Sequence, residues 1–452
     1  MNLPNYFLAD LPPEAELTAG LVTEACQTLK RNRGQFLEGR TTESLVRILD
    51  RLGHDWLSPD FPFRQEALQQ SPLETGFSEK VLAAGLDQFF GQLTTQNLES
   101  LLRQELGGER RLDGFSPSES DGFSKRSVMA MGPVLLAHFA PGNVPIPALM
   151  EMTLGLLLRS AQFVKCASGQ AFVPRMFAHS IYEADRKLGA CLEVAAWKGG
   201  AEKLEAALLA ESDCVAATGS DETLAAIRAK TPLRARFIGR GSKVSFAYIT
   251  GEALEDARGM AERAAADITA WNQRGCLSPH VIYVEESGGG AGEEFAVLLA
   301  EKLEALEKTH PRGALSAGDA GAIAARRAIY EVRAAHSPDT KMWTSHESTA
   351  WTVILENDPH FQISCQNRFI YVKLAPGLEQ ALQGAESVSD KTSTVGLGCP
   401  PAQWPEMARR LARWGAKRIC PLGRMQQPPL GWHHDGRPPL GDLVTWVDWE
   451  KE

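Results

Sequence analysis

From Val128 onward, short β-rich runs alternate with helical stretches, and no other feature constrains the chain as much. Parallel neighbours cannot be joined by tight turns, so each strand has to be followed by a crossover. The runs at 134–139, 163–166, 192–197, 214–217 and 235–238 read as strands, with helices expected at 148–159, 172–188, 203–210 and 222–229. Four successive crossovers predict a doubly wound domain with its ligand crevice at the carboxyl ends of the strands. A second α/β series follows, with strands at 244–249, 280–284, 352–355, 369–373 and 394–398 and helices at 252–272, 293–307 and 407–414. Residues 1–125 read as a helical front piece, with apolar periodicity at Leu45, Ile48, Leu49 and Leu52 and again at Leu82, Leu86, Phe89 and Phe90. The Gly-, Ser-, Asp- and Arg-rich stretch 107–125 marks a loop or hairpin, and 288–292 and 428–439 read as surface connections.

Composition narrows what such a chain can do. At 452 residues there is room for two large domains, and 44% hydrophobic with 23% charged residues is the balance of a folded chain. A net charge of −9 gives no basic face for nucleic acid. The first ten residues lack the basic flank and apolar run of a secretion signal. The longest apolar stretch, 144–158, contains two prolines and Glu151 and is too short to span a bilayer. Eight scattered cysteines form no CxxC pair and no zinc-like spacing with histidine, which predicts reduced thiols, no metal site and a cytoplasmic protein.

The strand ends carry the chemistry. The first runs into His138-Phe139-Ala140-Pro141-Gly142-Asn143, the second into Val164-Lys165-Cys166-Ala167-Ser168, and the fourth into Ala217-Thr218-Gly219-Ser220, all expected at one sheet edge. Gly219 and Ser220 stand before a helix, where amide groups and the helix dipole attract phosphate; the same residues also serve as plain helix caps. Lys165 reads either as a donor to a ribose hydroxyl or as a solvated lysine. No GxGxxG follows the first strand, which disfavours an ordinary dinucleotide-binding dehydrogenase. Cys166, Cys191 and Cys214 lie within strand patterns and read as small core residues. Cys276 differs, because Trp271-Asn272-Gln273-Arg274-Gly275-Cys276-Leu277-Ser278-Pro279 is a polar loop, and the nearby Arg274 would favour a thiolate able to attack a carbonyl. The oxyanion formed would need donors; Asn143 could supply one and the Cys276 amide another, although a proline-flanked Asn143 also suits a turn.

In this order the motifs resemble the aldehyde dehydrogenase superfamily from about residue 128 to the end. Pro141-Gly142-Asn143-Val144-Pro145 matches its oxyanion asparagine, Val164-Lys165 its ribose lysine, Thr218-Gly219-Ser220 its pyrophosphate turn, and the Cys276 loop its nucleophile. Within it, Gly142-Asn143-Val144-Pro145, the Cys276 loop and Ala416-Lys417-Arg418-Ile419-Cys420-Pro421-Leu422-Gly423 are similar to the acyl-CoA reductase family that supplies fatty aldehyde to bacterial luciferase. The tail Trp432-His433-His434-Asp435-Gly436 shares that look, without an assignable role beyond a solvated turn. Gly239-Arg240-Gly241-Ser242-Lys243 departs from the pattern, since no glutamate stands where aldehyde-oxidising relatives carry their water-activating base.

The resemblance implies an aldehyde dehydrogenase-like α/β fold, with the helical piece 1–125 packed on a cofactor domain 126–243, a catalytic domain 244–425 and a tail 426–452. It implies reduction of an acyl thioester through Cys276 with Asn143 at the oxyanion, and Lys165, Ser168, Gly219 and Ser220 toward NADPH, or NADH. The expected partners are an acyl-CoA or other acyl thioester, an acyl-protein synthetase and further copies of the chain. The alternatives are an aldehyde dehydrogenase working oxidatively and a silent homologue that binds an acyl carrier or synthetase.

Overall fold

The computed structural model describes residues 3–12, 14–117, 126–286 and 289–450. The helices in chain order are α1 (Ala19–Asn32), α2 (Thr42–Leu57), α3 (Pro62–Thr75), α4 (Glu79–Phe90), α5 (Thr95–Leu106), α6 (Ile146–Leu157), α7 (Phe172–Ala184), α8 (Arg186–Gly189), α9 (Glu202–Glu211), α10 (Asp221–Lys230), α11 (Ala257–Thr269), α12 (Ala291–Thr309), α13 (Ala317–His336), α14 (Leu378–Gly384) and α15 (Trp404–Trp414). The strands are β1 (Arg126–Met131), β2 (Leu135–Phe139), β3 (Ala161–Cys166), β4 (Leu192–Ala196), β5 (Cys214–Thr218), β6 (Arg236–Arg240), β7 (Val244–Ile249), β8 (Pro279–Glu285), β9 (Thr340–Thr344), β10 (Thr352–Glu356), β11 (Phe369–Ala375), β12 (Thr392–Gly398), β13 (Arg418–Pro421) and β14 (Thr445–Glu450). Two units result, one of Met1–Thr75, Leu86–Gly241 and Pro429–Glu452, the other of Gly76–Gly85 and Ser242–Pro428.

The first unit is built on a parallel sheet of order β4-β3-β2-β5-β6. Every residue of β2 and β3 is buried, as a parallel strand covered on both faces requires. Leu135, Ala137 and Phe139 face a layer that includes Val22, Cys26 and Leu29 of α1 and Leu208 and Leu209 of α9. Leu136 joins the opposite layer with Leu149 and Met152 of α6, Leu49 and Leu52 of α2 and Leu98 and Leu102 of α5. The N-terminal helices thus supply sheet-covering surface on both sides. The tail adds β14, paired antiparallel with β1 in a separate two-stranded ribbon.

The second unit holds a sheet of order β13-β12-β7-β8-β11-β10-β9, parallel except for the edge pair β10–β9. Its two faces carry separate cores, one around Ile282, Ile268 and Phe295 and one around Tyr283, Phe246 and Tyr371.

Several predicted elements change. The helix expected at 172–188 breaks at Asp185, whose extended backbone (φ −157°) and side chain cap α8. The helix expected at 252–272 is a 3-10 turn at Glu252–Asp256, then α11, then a second 3-10 turn at Ala270–Gln273. The long helix α13 was not predicted, because its sequence is alanine-rich and buries only Ile323 and Tyr330 while Ile329 and Val332 are exposed, which blurs the apolar period. Of the connection expected at 107–125, residues 118–125 lie outside the described residues, as does Gly288 of the 288–292 turn; Ser116 bridges to Val128. Among the described residues no helix is long and apolar enough to cross a membrane.

One buried cation ties the front helices to the sheet. Arg159, between α6 and β3 with a left-handed backbone (φ 55°), donates to the Arg40 carbonyl at 2.6 Å and to Thr42 Oγ1 at 3.0 Å and pairs with Asp113. Arg33 Nε returns a bond to the Arg159 carbonyl at 2.9 Å. Removing one partner of a fully buried pair costs about 3–5 kcal/mol. Asp113 keeps 36% side-chain exposure, so Arg159→Met is expected to lower unfolding free energy by somewhat less, about 2–3 kcal/mol, read from the urea midpoint.

Candidate active site

Strand order in the first unit reverses between β2 and β5, so the loops leaving their carboxyl ends flank the switch point where doubly wound sheets bind ligands. The loop after β2 carries Asn143, half-buried, two residues before Pro145 at the N-cap of α6. The neighbouring loop after β3 packs closely on it: the Ala140 amide donates to the Lys165 carbonyl at 2.9 Å, and a Cβ on Gly142 would sit 3.1 Å from Ala167. Ser168 is exposed in that loop's turn, closed by the Gln170 amide on the Ala167 carbonyl at 3.1 Å. Five of the expected site residues, Asn143, Lys165, Ser168, Gly219 and Ser220, therefore gather along one edge of one sheet.

Their local partners differ. Lys165 is 7% exposed, with its ammonium 5.9 Å from the centroid of the Trp197 ring, and burial holds it below the usual lysine range against the pull of Glu205. Trp197 Nε1 and Thr218 Oγ1 are buried without a hydrogen-bond partner among the described residues. These are unsatisfied polar groups at the sheet edge, and they suit a polar ligand such as a nucleotide ribose. The turn before α10 is more committed. The Gly219 amide donates to the Arg240 carbonyl at 3.1 Å, and Ser220 Oγ accepts from the Thr223 amide at 3.3 Å as the helix cap. Asp221 and Glu222 open α10 and already offset its positive end, which weakens the attraction of that end for phosphate.

Cys276 lies in the second unit, beyond α11 and ahead of the amino end of β8. It is the exposed one among eight free cysteines; Cys365 and Cys399 are half-buried and the others buried. The turn that presents it is unusual, since Trp271, Asn272 and Gln273 are all left-handed at φ 52°, 50° and 63°. Such backbone costs about 1–3 kcal/mol per non-glycine residue and persists only where surrounding contacts enforce it. Here the Trp271 indole occupies the space a Cβ on Gly85 would need and meets the Phe77 ring edge-on at 5.3 Å. Asn272 Nδ2 donates to the Arg312 carbonyl and Gln273 Nε2 to the Pro279 carbonyl, both at 2.7 Å. Past the turn, Ser245 Oγ donates to the Cys276 carbonyl at 2.8 Å, and Gln426 Nε2 reaches Ser278 Oγ at 2.6 Å. Arg274, expected to favour the thiolate, has its guanidinium 4.8 Å from the centroid of the Phe77 ring.

The tail motif is a turn closed by the Gly436 amide on the His433 carbonyl at 3.0 Å, with the His434 ring stacked on Trp432 at 4.8 Å. Burial and the Arg240 charge push His434 down to about 4. Arg240 itself pairs with buried Glu151 at 2.8 Å, and Glu151 reaches His138 Nδ1 at 3.2 Å. No trio of His, Cys, Asp or Glu among the described residues is gathered to hold a metal.

Residues 37–446 match the family model described as Acyl-CoA reductase (LuxC). The chain belongs to that family. A relative from Photorhabdus laumondii subsp. laumondii named long-chain acyl-protein thioester reductase is 24% identical over 414 residues, covering 90% of this chain and 82% of its own. A Vibrio harveyi protein of the same name is 23% identical over 422 residues, covering 92% and 84%. Among solved structures, a putative aldehyde dehydrogenase from Anabaena variabilis superposes with a TM-score of 0.70 at 16% identity, covering 96% of this chain and 93% of that one. Aldehyde dehydrogenase C from Pseudomonas syringae, solved with NAD+ and octanal, gives 0.71 at 13% identity, covering 96% and 90%. The chain thus has the aldehyde dehydrogenase fold.

Close to the Cys276 turn, His280 on β8 is buried, and its Nδ1 accepts from the Ser364 amide at 3.2 Å, which requires that nitrogen unprotonated. Burial pushes its pKa down from 6.5 to about 4. Unfolded chain therefore binds the proton first, and the stability held by neutral His280 is lost as pH falls through 6.5 toward 4. Between pH 7 and 4.5 the wild type is expected to lose about 2–3 kcal/mol more than His280→Gln, measured from urea midpoints at the two pH values.

Proposed function

We propose that this chain reduces an acyl thioester to an aldehyde, with Cys276 as the nucleophile. One observation carries the reading: the exposed thiol of a chain in this family stands three residues past a left-handed turn held by buried side chains. The Cys276 thiolate attacks the thioester carbon and forms a new C–S bond; the donor's C–S bond then breaks and its thiolate leaves to take up a proton. Asn143 is assigned to donate to the oxyanion by its place in the Pro-Gly-Asn motif. Lys165 and Thr218, with Ser168, Gly219 and Ser220 on the same edge, are assigned to hold NADPH, with NADH as the alternative. When bound, that coenzyme supplies the hydride that lowers the acyl carbon to the aldehyde oxidation level. Collapse of the thiohemiacetal breaks the C–S bond, frees the aldehyde and restores the Cys276 thiolate.

The donor is an acyl-CoA or an acyl group delivered by a synthetase partner, a choice supported by the acyl-protein thioester reductase name of the relatives. The segment Arg236–Arg240 and the following Gly241 to Lys243 contain no glutamate, and Arg240 is paired with Glu151. Without a general base there to activate water, hydrolysis should be slow and the acyl group should wait on sulfur.

Wild-type protein given labelled acyl-CoA without coenzyme is expected to keep the label through gel filtration and to release it as aldehyde when NADPH is added. Cys276→Ala should take up none. Label on that variant would refute the nucleophile, and prompt release of free acid from wild type would favour oxidative chemistry. Asn143→Ala is expected to acylate and turn over about 10²- to 10³-fold more slowly, checked by single-turnover kinetics.

A further inference from the structure

Two left-handed triplets face each other in the second unit. Besides Trp271, Asn272 and Gln273, the chain takes positive φ at Gln366, Asn367 and Arg368 (56°, 53° and 67°) immediately before β11. The triplets lie 93 or more positions apart in sequence, yet their side chains close a ring. Arg368 is fully buried, and its Nη2 and Nε donate to Asn272 Oδ1 at 2.9 and 3.2 Å. Its Nη2 also reaches the His310 carbonyl at 2.8 Å, and its Nη1 pairs with Glu307 at 2.7 Å. Glu307 accepts the Arg312 amide at 3.2 Å, and the Arg312 carbonyl accepts Asn272 Nδ2 at 2.7 Å. Arg312 Nη1 returns to the Asn367 carbonyl at 3.4 Å, beside the starting guanidinium. Both hydrogen-bonding ends of the Asn272 side chain are thereby spoken for, four residues ahead of Cys276.

We propose that Arg368 is a positioning residue for Cys276: its buried guanidinium clamps Asn272 in the left-handed turn and so fixes where the thiol is presented. This rests on Cys276 being the nucleophile. A purely structural cation would need only its Glu307 counter-charge, whereas two of the four side-chain bonds of Arg368 go to Asn272, the middle residue of the left-handed turn. Arginine suits the task because its flat fork donates in fixed directions, and a lysine could meet only part of the set. A nucleophile misplaced by about 1 Å loses on the order of 10²-fold in rate.

The test uses the full chain with myristoyl-CoA as acyl donor and iodoacetamide as thiol probe. Arg368→Met is expected to acylate Cys276 about 10²-fold more slowly at saturating myristoyl-CoA, with half-saturation unchanged within about twofold, and Arg368→Lys to recover part of the loss. A merely structural role would lower the urea midpoint and leave that rate constant intact below the unfolding transition. Acylation of folded Arg368→Met within about threefold of wild type overturns the proposal. Should Arg368→Met fail to fold, Asn272→Ala decides: it removes the acceptor that Arg368 holds and should acylate about 10²-fold more slowly, and a rate within about threefold of wild type overturns the proposal. Alkylation of Cys276, located by peptide mass, reads thiol presentation whether or not that sulfur carries the acyl group. A change of tenfold or more in Arg368→Met supports the clamp even if acyl label persists on Cys276→Ala, and no change there refutes it.

Discussion

Parallel strand pairing is the constraint from which the architecture follows. Each parallel strand needs a crossover, and each crossover lays a helix on a sheet face, so both faces become covered and the strands become apolar throughout. The five buried residues of β2 and six of β3 express this directly. A sheet so enclosed offers polar groups to a ligand only at its ends. In the first unit the carboxyl edge accordingly collects Asn143, Lys165, Ser168 and the Thr218-Gly219-Ser220 turn from loops far apart in sequence.

Cys276 follows a different logic. It precedes the amino end of β8, so the rule that finds ligands at carboxyl ends does not point to it in its own sheet. Its setting comes from three left-handed residues held by packing against Phe77 and Gly85 and by bonds to buried arginine-bearing segments. Strain of this kind is stable only when several contacts over-determine it, and a helix ending in relaxed coil would not hold a side chain so firmly.

Buried charge recurs at these junctions. Arg159 holds the front helices to the sheet of the first unit, Arg240 and Glu151 join β6 to α6, and Arg368 with Glu307 braces the Cys276 turn. Arg159 and Arg368 each also donate to a backbone carbonyl and to a second side chain, which suits multidentate guanidinium better than ammonium. Lys373 with Glu356, buried at 2.8 Å between β11 and β10, shows that lysine serves where one charge partner dominates.

The sequence by itself determined the alternation of strands and helices, the residues at the strand ends and the distinctness of Cys276, because all of these are local: apolar period, turn chemistry and a thiol set in polar rather than apolar surroundings. It left α13 and the exposed ribbon strand β14 unread, since neither carries a strong apolar period. The break of the predicted helix at Trp271, the commitment of Ser220 to a helix cap and of Arg274 to the Phe77 ring, and the meeting of Asn272 with Arg368 were decided only by tertiary structure. Nothing in the local sequence favours three left-handed residues in a row; that conformation exists because partners distant in the chain make the alternatives costlier.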